Sequence, residues 1–253
     1  MTRPFLVVQL SDPHIGADWG EGDPVATVAA TVAAVGALEL RPDAVLISGD
    51  LADHGADAEY EQVRELLAPI DAPLHALPGN HDDRAALRRR FGIPGADAEP
   101  VQYAVDLGPL RLVVLDTIRP GEDPGALDAE RLAWLDAALA EFPDMPTLVA
   151  LHHPPVDTGI PIVDEIGLPP AERRALGDVV ERHPQVRRLV AGHLHRTVTA
   201  ELRGRSVFVA PSTYVQARLE FGAEEVRLSA EPPGFALHAW LDGELVSYAL
   251  GIP

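Results

Sequence analysis

The chain has 253 residues, with 39 acidic against 20 basic side chains, a formal net charge of −19 and no cysteine. Nearly half of it is hydrophobic, enough for a sizeable core, yet no apolar run approaches the 18 or so residues of a membrane span, and without cysteine there is neither a disulfide framework nor a thiolate metal site. All the basic residues are arginine, so the acidic surface should repel nucleic-acid phosphates and anionic lipid, and a phosphate-bearing substrate needs positive charge concentrated locally, which bound metal ions can supply.

The opening "MTRPFLVV" reads as the start of a strand and not as a signal peptide, and the lack of cysteine fits a cytoplasmic protein. Residues 5–10 form the first predicted strand, followed by a helix over 24–40 that begins at Pro24. A strand at 44–48, a helix over 56–70, a strand at 73–77 and a short helix over 82–91 continue the alternation. Residues 102–108 and 110–116 read as a hairpin around Gly108-Pro109. The helix 127–142, strand 146–152, helix 170–183 and strand 186–192 come next. After residue 196 the period changes, and five β-rich runs separated by Gly-containing turns fill the last third. An α/β part flowing into antiparallel strands, with no linker or repeat, predicts one domain with two sheets. We expect a core over residues 1–210 and a β-rich extension over 211–253 packed on the same domain.

Five polar motifs sit just beyond predicted strands: Asp12-Pro-His14, Gly49-Asp50, Gly79-Asn80-His81-Asp82, His152-His153-Pro154 and Gly192-His193-Leu-His195. Ligands of open α/β sheets bind outside the carboxyl ends of the strands, so motifs far apart in sequence can converge. Six of the ten histidines fall in these segments. Carboxylate, amide oxygen and imidazole suit Mn or Fe, with Zn an option. The glycines before Asp50, Asn80 and His193 leave room where backbone must approach closely. Asp12 and His14 flank a turn residue and can point at one ion, and Pro13 stiffens that turn.

In this order the five motifs resemble the calcineurin-like metallophosphoesterases. That resemblance implies a four-layer α-β-β-α sandwich of two mixed sheets and a pair of metal ions activating water for in-line attack on phosphorus. It assigns Asp12, His14 and His195 to one ion, Asn80, His152 and His193 to the other, and Asp50 to both. His81 becomes the non-ligand catalytic histidine beside the phosphoryl group, with Asp53 as its carboxylate partner, and Asn80 also faces substrate. The family's protein phosphatases carry a phosphate-gripping arginine after that Asp; here the position is His54, which argues against a phosphoprotein substrate. Arg196 is the substitute cation we name from sequence. "APSTYVQ" and "PPGFALHAWLDGELVSY" are similar to the tail of bacterial class III cyclic nucleotide phosphodiesterases, commonly dimeric. The expected substrates are therefore small phosphodiesters, 3′,5′-cyclic AMP first, with no nucleic-acid polymer, no membrane span and a homodimer as the expected assembly. A glycerophosphodiesterase or broader phosphoesterase is the alternative, and a metal-binding scaffold without catalysis is the alternative of a different class.

Overall fold

A computed structural model describes residues 3–252. Strand β1 (Phe5–Leu10) leads into helix α1 (Pro24–Gly36), where Pro24 opens the first turn and the Asp23 side chain accepts from the Val25 N–H. Strand β2 (Ala44–Ser48), helix α2 (Asp57–Leu67), strand β3 (Leu74–Leu77) and helix α3 (Arg84–Phe91) follow. Helix α3 starts on an Asp83 cap and stops at Gly92, whose left-handed φ of 66° is inexpensive only for a residue without Cβ. The antiparallel pair β4 (Tyr103–Asp106) and β5 (Arg111–Val114) precedes helix α4 (Ala129–Glu141), capped by Asp128. Strand β6 (Thr147–Ala150), the short helix α5 (Pro161–Glu165), helix α6 (Pro170–Glu181) and strand β7 (Val186–Ala191) come next. The last third holds β8 (Val198–Leu202), β9 (Arg205–Val209), the two-residue strands β10 (Gln216–Ala217) and β11 (Leu228–Ser229), β12 (Gly234–Leu241) and β13 (Glu244–Gly251).

Two large mixed sheets form, in the strand orders β13-β12-β1-β2-β3 and β4-β5-β6-β7-β9-β8. Within them β1-β2-β3 and β5-β6-β7-β9 run parallel, while β12, β13, β4 and β8 are antiparallel to their neighbours. Side-chain alternation sorts the core into three layers. Val8, Leu10, Val45 and Ile47 face α1 and α2, with Val28, Val32, Tyr60 and Val63 beneath. Val113, Val149, Leu189 and Ala191 face α4 and α6, against Leu135, Leu139, Leu176 and Val180. Their alternates Val7, Leu46, Leu77, Leu112, Leu148 and Val190 meet between the sheets. Three apolar interfaces between four layers are the expected α-β-β-α sandwich.

One strip of that middle interface is polar. Gln9, on β1, reaches across with its Nε2 to the Ala191 carbonyl at 2.9 Å and to Ser48 Oγ at 2.8 Å. This pins the ends of β1, β2 and β7 together although they belong to different sheets. The consequence is functional, because the loops leaving these three strands carry most of the polar motifs.

Some boundaries differ from the sequence reading. Helix α1 ends at Gly36 rather than residue 40, because the Ala37 N–H turns back on Ala33 and Ala34 and the chain then folds so that Asp43 caps the Leu6 N–H. Helix α5 was not expected, since one turn is too short to show a period. The run 225–232 contributes only the short β11.

Candidate metal centre

Asp12 and His14 leave β1, Asp50 leaves β2, Asn80 leaves β3, His152 leaves β6, and His193 and His195 leave β7. The chain adopts a conformation at these points that ordinary residues avoid. Asp12, His14, Asp50, His193 and His195 have φ of 51°, 44°, 50°, 71° and 46°. Only two other described non-glycine residues lie there, Arg203 and Asp242, both in hairpin turns next to a glycine. Left-handed backbone at a non-glycine residue costs on the order of 1 kcal/mol or more, and such strain concentrates where side-chain aim matters. Two glycines permit the crowding. A Cβ on Gly79 would stand 2.2 Å from Asp50 Oδ1, and one on Gly192 would stand 2.1 Å from Ser11 Oγ.

The side chains form two groups around Asp50. On one side His14 Nε2 is 3.5 Å from Asp50 Oδ2 and 3.0 Å from His195 Nε2, which is 3.8 Å from Asp12 Oδ1. On the other, His152 Nε2 is 3.4 Å from the same Asp50 Oδ2 and 3.2 Å from Asn80 Oδ1, with the His193 ring packed against the His152 ring at 5.1 Å. Each of the four rings spends its other nitrogen on a fixed acceptor. His14 Nδ1 donates to Asp53 Oδ1 (2.8 Å), His152 Nδ1 to the Ser48 carbonyl (2.9 Å), His195 Nδ1 to the Val215 carbonyl (3.1 Å) and His193 Nε2 to the Ile166 carbonyl (3.1 Å). This fixes each ring's orientation and turns its other nitrogen inward, where a metal ion would find a lone pair.

These donors fit metal ions. Ligands around an octahedral ion with bonds of roughly 2.0–2.1 Å stand about 3 Å apart, and the separations above cluster near that value. The lone pairs of His14 Nε2 and His195 Nε2 face each other at 3.0 Å, which is repulsive unless a cation lies between them. Asp12 and Asp50 are fully buried, and among the described residues the cationic groups within ion-pair distance of either are histidines, not arginines. Buried negative charge of this kind calls for a cation. Burial pushes His14 down, His195 down to about 4 and His193 well down, so these rings are neutral and available as ligands. At His152 burial works the same way, but the Asp50 and Asp12 carboxylates outweigh it and raise the ring to about 9. The cluster attracts positive charge strongly.

His153, beside His152, is committed elsewhere. Its Nε2 donates to the Asp123 carbonyl at 2.9 Å, its Nδ1 meets Thr117 Oγ1 at 2.8 Å, and burial followed by the His152 charge lowers it to about 3. His81 packs edge-on against the His14 ring, with centroids 4.7 Å apart, but turns its own nitrogens elsewhere. Its Nδ1 donates to the Asp53 carbonyl at 3.0 Å and lies 3.5 Å from Asp53 Oδ1, and the half-exposed ring lines the cleft above the cluster. Burial disfavours its charge, yet Asp50, the Asp53 carbonyl and the Asp53 carboxylate more than compensate, and its pKa is raised. The shortest histidine contact of the Asp53 carboxylate is to His14, not His81, so the link from Asp53 to His81 runs mainly through the main chain.

Arg196 is not brought to the cleft. Its guanidinium donates to the Ala217 carbonyl at 2.7 Å and to Glu231 at 2.9 Å, and it lines a separate groove with Pro232 and Leu250. His54 turns outward onto Glu59 at 2.8 Å. The cleft, about 300 Å³, has instead a wall that the sequence reading missed: Trp19, Val163, Ile166, Leu194, Val226 and Leu228, with the exposed Asp123 also in its lining. A tryptophan among three glycines in "GADWGEGD" was the available signal. The hydrophobics of α5 and β11 gave none, because short segments carry no period.

Comparison with known proteins bears on this geometry. The chain is 32% identical over 245 residues to a probable glycerophosphodiester phosphodiesterase of Arcobacter nitrofigilis, covering 94% of this chain and 89% of that one. It is 34% identical over 248 residues to a 3′,5′-cyclic adenosine monophosphate phosphodiesterase of Pseudomonas aeruginosa, covering 95% and 87%. A crystal structure of a dimetal phosphatase from Danio rerio superposes with a TM-score of 0.75 over 99% of this chain and 98% of that one, at 18% identity, so there the likeness is one of fold. The model of the calcineurin-like phosphoesterases matches residues 5–197, which include all five strand-end motifs. That match spans more than half of the sequence, and the chain belongs to the calcineurin-like phosphoesterase family.

Proposed function

We propose that this metal-dependent phosphodiester hydrolase holds two ions and cleaves small phosphodiesters, 3′,5′-cyclic nucleotides before others. The observation that carries the two-ion reading is Asp50 Oδ2, which stands 3.5 Å from one histidine group and 3.4 Å from the other. Asp12, His14 and His195 would hold one ion, Asn80, His152 and His193 the second, and Asp50 both. The nitrogen and oxygen donor set, without thiolate, suits Mn and Fe and accepts Zn. Bound there, the ions supply Lewis acidity, making water nucleophilic near neutral pH and neutralising phosphate charge.

The chain's own residues do the rest. His81 keeps its Nδ1 proton on the Asp53 carbonyl and turns its other edge to the cleft, where a charged ring can donate to a phosphoryl oxygen or to the departing alkoxide. Trp19, Val163, Ile166, Val226 and Leu228 offer an apolar surface to an uncharged organic group, which would cover them in turn. Among the described residues that line the cleft there is no arginine, so a second phosphate charge would meet only the ions, His81 and the neutral Asn80 amide. A monoanionic diester fits this balance better than a dianionic monoester. Cyclic nucleotides fit the apolar wall, and the name of the Pseudomonas relative supports them. Glycerophosphodiesters are the second reading. Asp123, an exposed carboxylate residue of the lining, can accept hydrogen bonds from the hydroxyls that glycerol offers, and the Arcobacter relative bears that name.

The test is a parallel assay with Mn²⁺ of cyclic AMP, cyclic GMP, a glycerophosphodiester and a phosphopeptide. We expect small diesters to turn over fastest. Phosphopeptide turnover above every diester overturns the proposal, and diester activity that excludes cyclic nucleotides moves it to the second reading.

A further inference from the structure

Trp19 belongs to the loop between β1 and α1, and its place in the apolar wall of the cleft makes no use of its indole N–H. Its indole N–H donates to both carboxylate oxygens of Asp53, at 3.1 and 3.2 Å. Asp53 Oδ1 in turn accepts from His14 Nδ1 at 2.8 Å. The indole therefore stands two hydrogen bonds away from the inward-facing Nε2 of His14. Its ring also packs edge-on against His14, with centroids 4.9 Å apart, and more loosely against His195 at 6.0 Å.

The loop that carries Trp19 cannot hold this position by itself. Gly16, Gly20 and Gly22 all have left-handed φ, so the segment has large conformational entropy to lose. Tyr214 restrains it. The Tyr214 hydroxyl donates to the Trp19 carbonyl, with the Gly22 carbonyl 3.3 Å away, and the buried ring meets the indole at 5.4 Å. Tyr214 is itself anchored to the ligand strand, because Ser212 Oγ receives its N–H at 2.9 Å and donates to the Asp12 carbonyl at 2.9 Å. A connected set of contacts thus runs from the Asp12 backbone through Tyr214 to Trp19, then through Asp53 to His14.

The Asp53 carboxylate has competing partners. His81 Nδ1 lies 3.5 Å from one oxygen and His54 Nε2 lies 3.8 Å from the other. Without the indole donor the carboxylate could rotate toward either, and His14 would lose the acceptor that fixes its tautomer. From this geometry we propose that Trp19 is a positioning residue for the metal site, holding Asp53 against His14 and so setting the affinity of the ion on the His14 side. This rests on the assignment of His14 as a ligand, and it is read from metal binding alone, so it can fail while the substrate proposal stands.

Trp19→Phe keeps a ring against His14, His195 and Tyr214 but removes the N–H. Full-length protein, stripped with chelator, is titrated with Mn²⁺ by calorimetry, and its metal-free melting temperature is recorded. Loss of a ligand's direct hydrogen-bond partner typically weakens metal binding by about 10–100-fold; Trp19 acts on that partner, Asp53, and we expect about tenfold, the lower end of the range, in one class of sites with the other class unchanged. Asp53→Asn should weaken the same class, and the double variant should lose little more than the worse single one, because both changes break one relay. Affinity within about threefold of the native protein, or losses that multiply in full in the double variant, overturns the proposal. If Trp19→Phe lowers the metal-free melting temperature, the same titration and cycle are run on Tyr214→Phe, which leaves the indole intact. A weakening of the same class that is not additive with Asp53→Asn upholds the relay, and unchanged affinity overturns it.

Discussion

Single residues divide here into those that hold charge and those that aim it. Asp12 and Asp50 hold it, buried with histidines as their nearest cationic partners. The residues that aim are less conspicuous. The carbonyls of Ser48, Val215 and Ile166, and the Asp53 carboxylate, each fix one ring nitrogen and thereby expose the other. His81 differs from the seven histidine, carboxylate and amide ligands around it because its ring faces substrate space. His81→Ala should leave bound Mn²⁺, measured by elemental analysis after desalting, at the native level and lower turnover of cyclic AMP by about 10²–10⁴, the usual range for a proton donor. Loss of metal in step with activity would make His81 a ligand. Residue type and position after the strands were enough to mark the five motifs, and the family resemblance then picked out Asp12, His14, Asp50, Asn80, His152, His193 and His195, all of which the fold brings together. The partner of the Asp53 carboxylate and the direction of Arg196 were not legible. Both depend on side-chain rotamers, and Arg196 had a carbonyl and Glu231 closer than the cleft.

At the level of strands and helices, legibility followed length. Strand β1 spans the predicted 5–10, and α6 and β7 lie within two residues of expectation, because each carries several turns or alternations of pattern. The two-residue strands β10 and β11 and the five-residue α5 do not, yet they or their flanks furnish Ala217, Leu228, Val163 and Ile166 to the cleft. The polar strip between the sheets was equally hidden, since Gln9 and His238 look like ordinary alternating residues of exposed strand faces. In the fold His238 on β12 donates from Nε2 to Gln9 Oε1 at 2.9 Å, and its Nδ1 accepts the Ser247 hydroxyl at 2.5 Å. Ser247 in turn receives Arg188. Every bond in this chain has a defined direction, and a proton on His238 Nδ1 would break it and place a cation beside Arg188. Burial, then the Arg188 charge, lowers His238 to about 3. The unfolded chain takes up its proton near pH 6.5 while the native state does not until about pH 3, so native stability is complete above the first value and falls as pH drops between them. Urea unfolding of chelated protein at about pH 7.5 and pH 5 should show a loss for the native chain that exceeds the loss for His238→Gln by about 2 kcal/mol, from 1.36 kcal/mol per pH unit below about 6.5. Equal losses would show that His238 is not the group concerned.

For the whole molecule the governing quantity is a net charge of −19 built without a single lysine. A phosphodiesterase with this surface faces two opposing fields. Close to the cluster, the bound ions attract a phosphate; over the rest of the protein the carboxylates repel one. A small monoanion samples mostly the first field once it is inside a cleft of about 300 Å³. A nucleic-acid strand must lay many phosphates along the second, so single-stranded DNA should be a poor substrate despite being a diester. Salt distinguishes this account from simple steric exclusion. The Debye length shortens from roughly 30 Å at 0.01 M to 10 Å at 0.1 M, so added salt weakens repulsion by the distant carboxylates while leaving short-range contact with the ions nearly intact. We expect kcat/KM for a short single-stranded oligonucleotide to lie well below that for cyclic AMP at low ionic strength and to rise several-fold between about 0.01 and 0.2 M NaCl, while the cyclic AMP value changes by less than about twofold. Nucleases that grip the backbone with arginine and lysine behave oppositely, losing affinity as salt releases their counterion advantage. A fall in oligonucleotide cleavage with salt would mean that a basic track exists on this surface. A low value that does not move with salt would assign the discrimination to the shape of the wall formed by Trp19, Val226 and Leu228 instead of to charge.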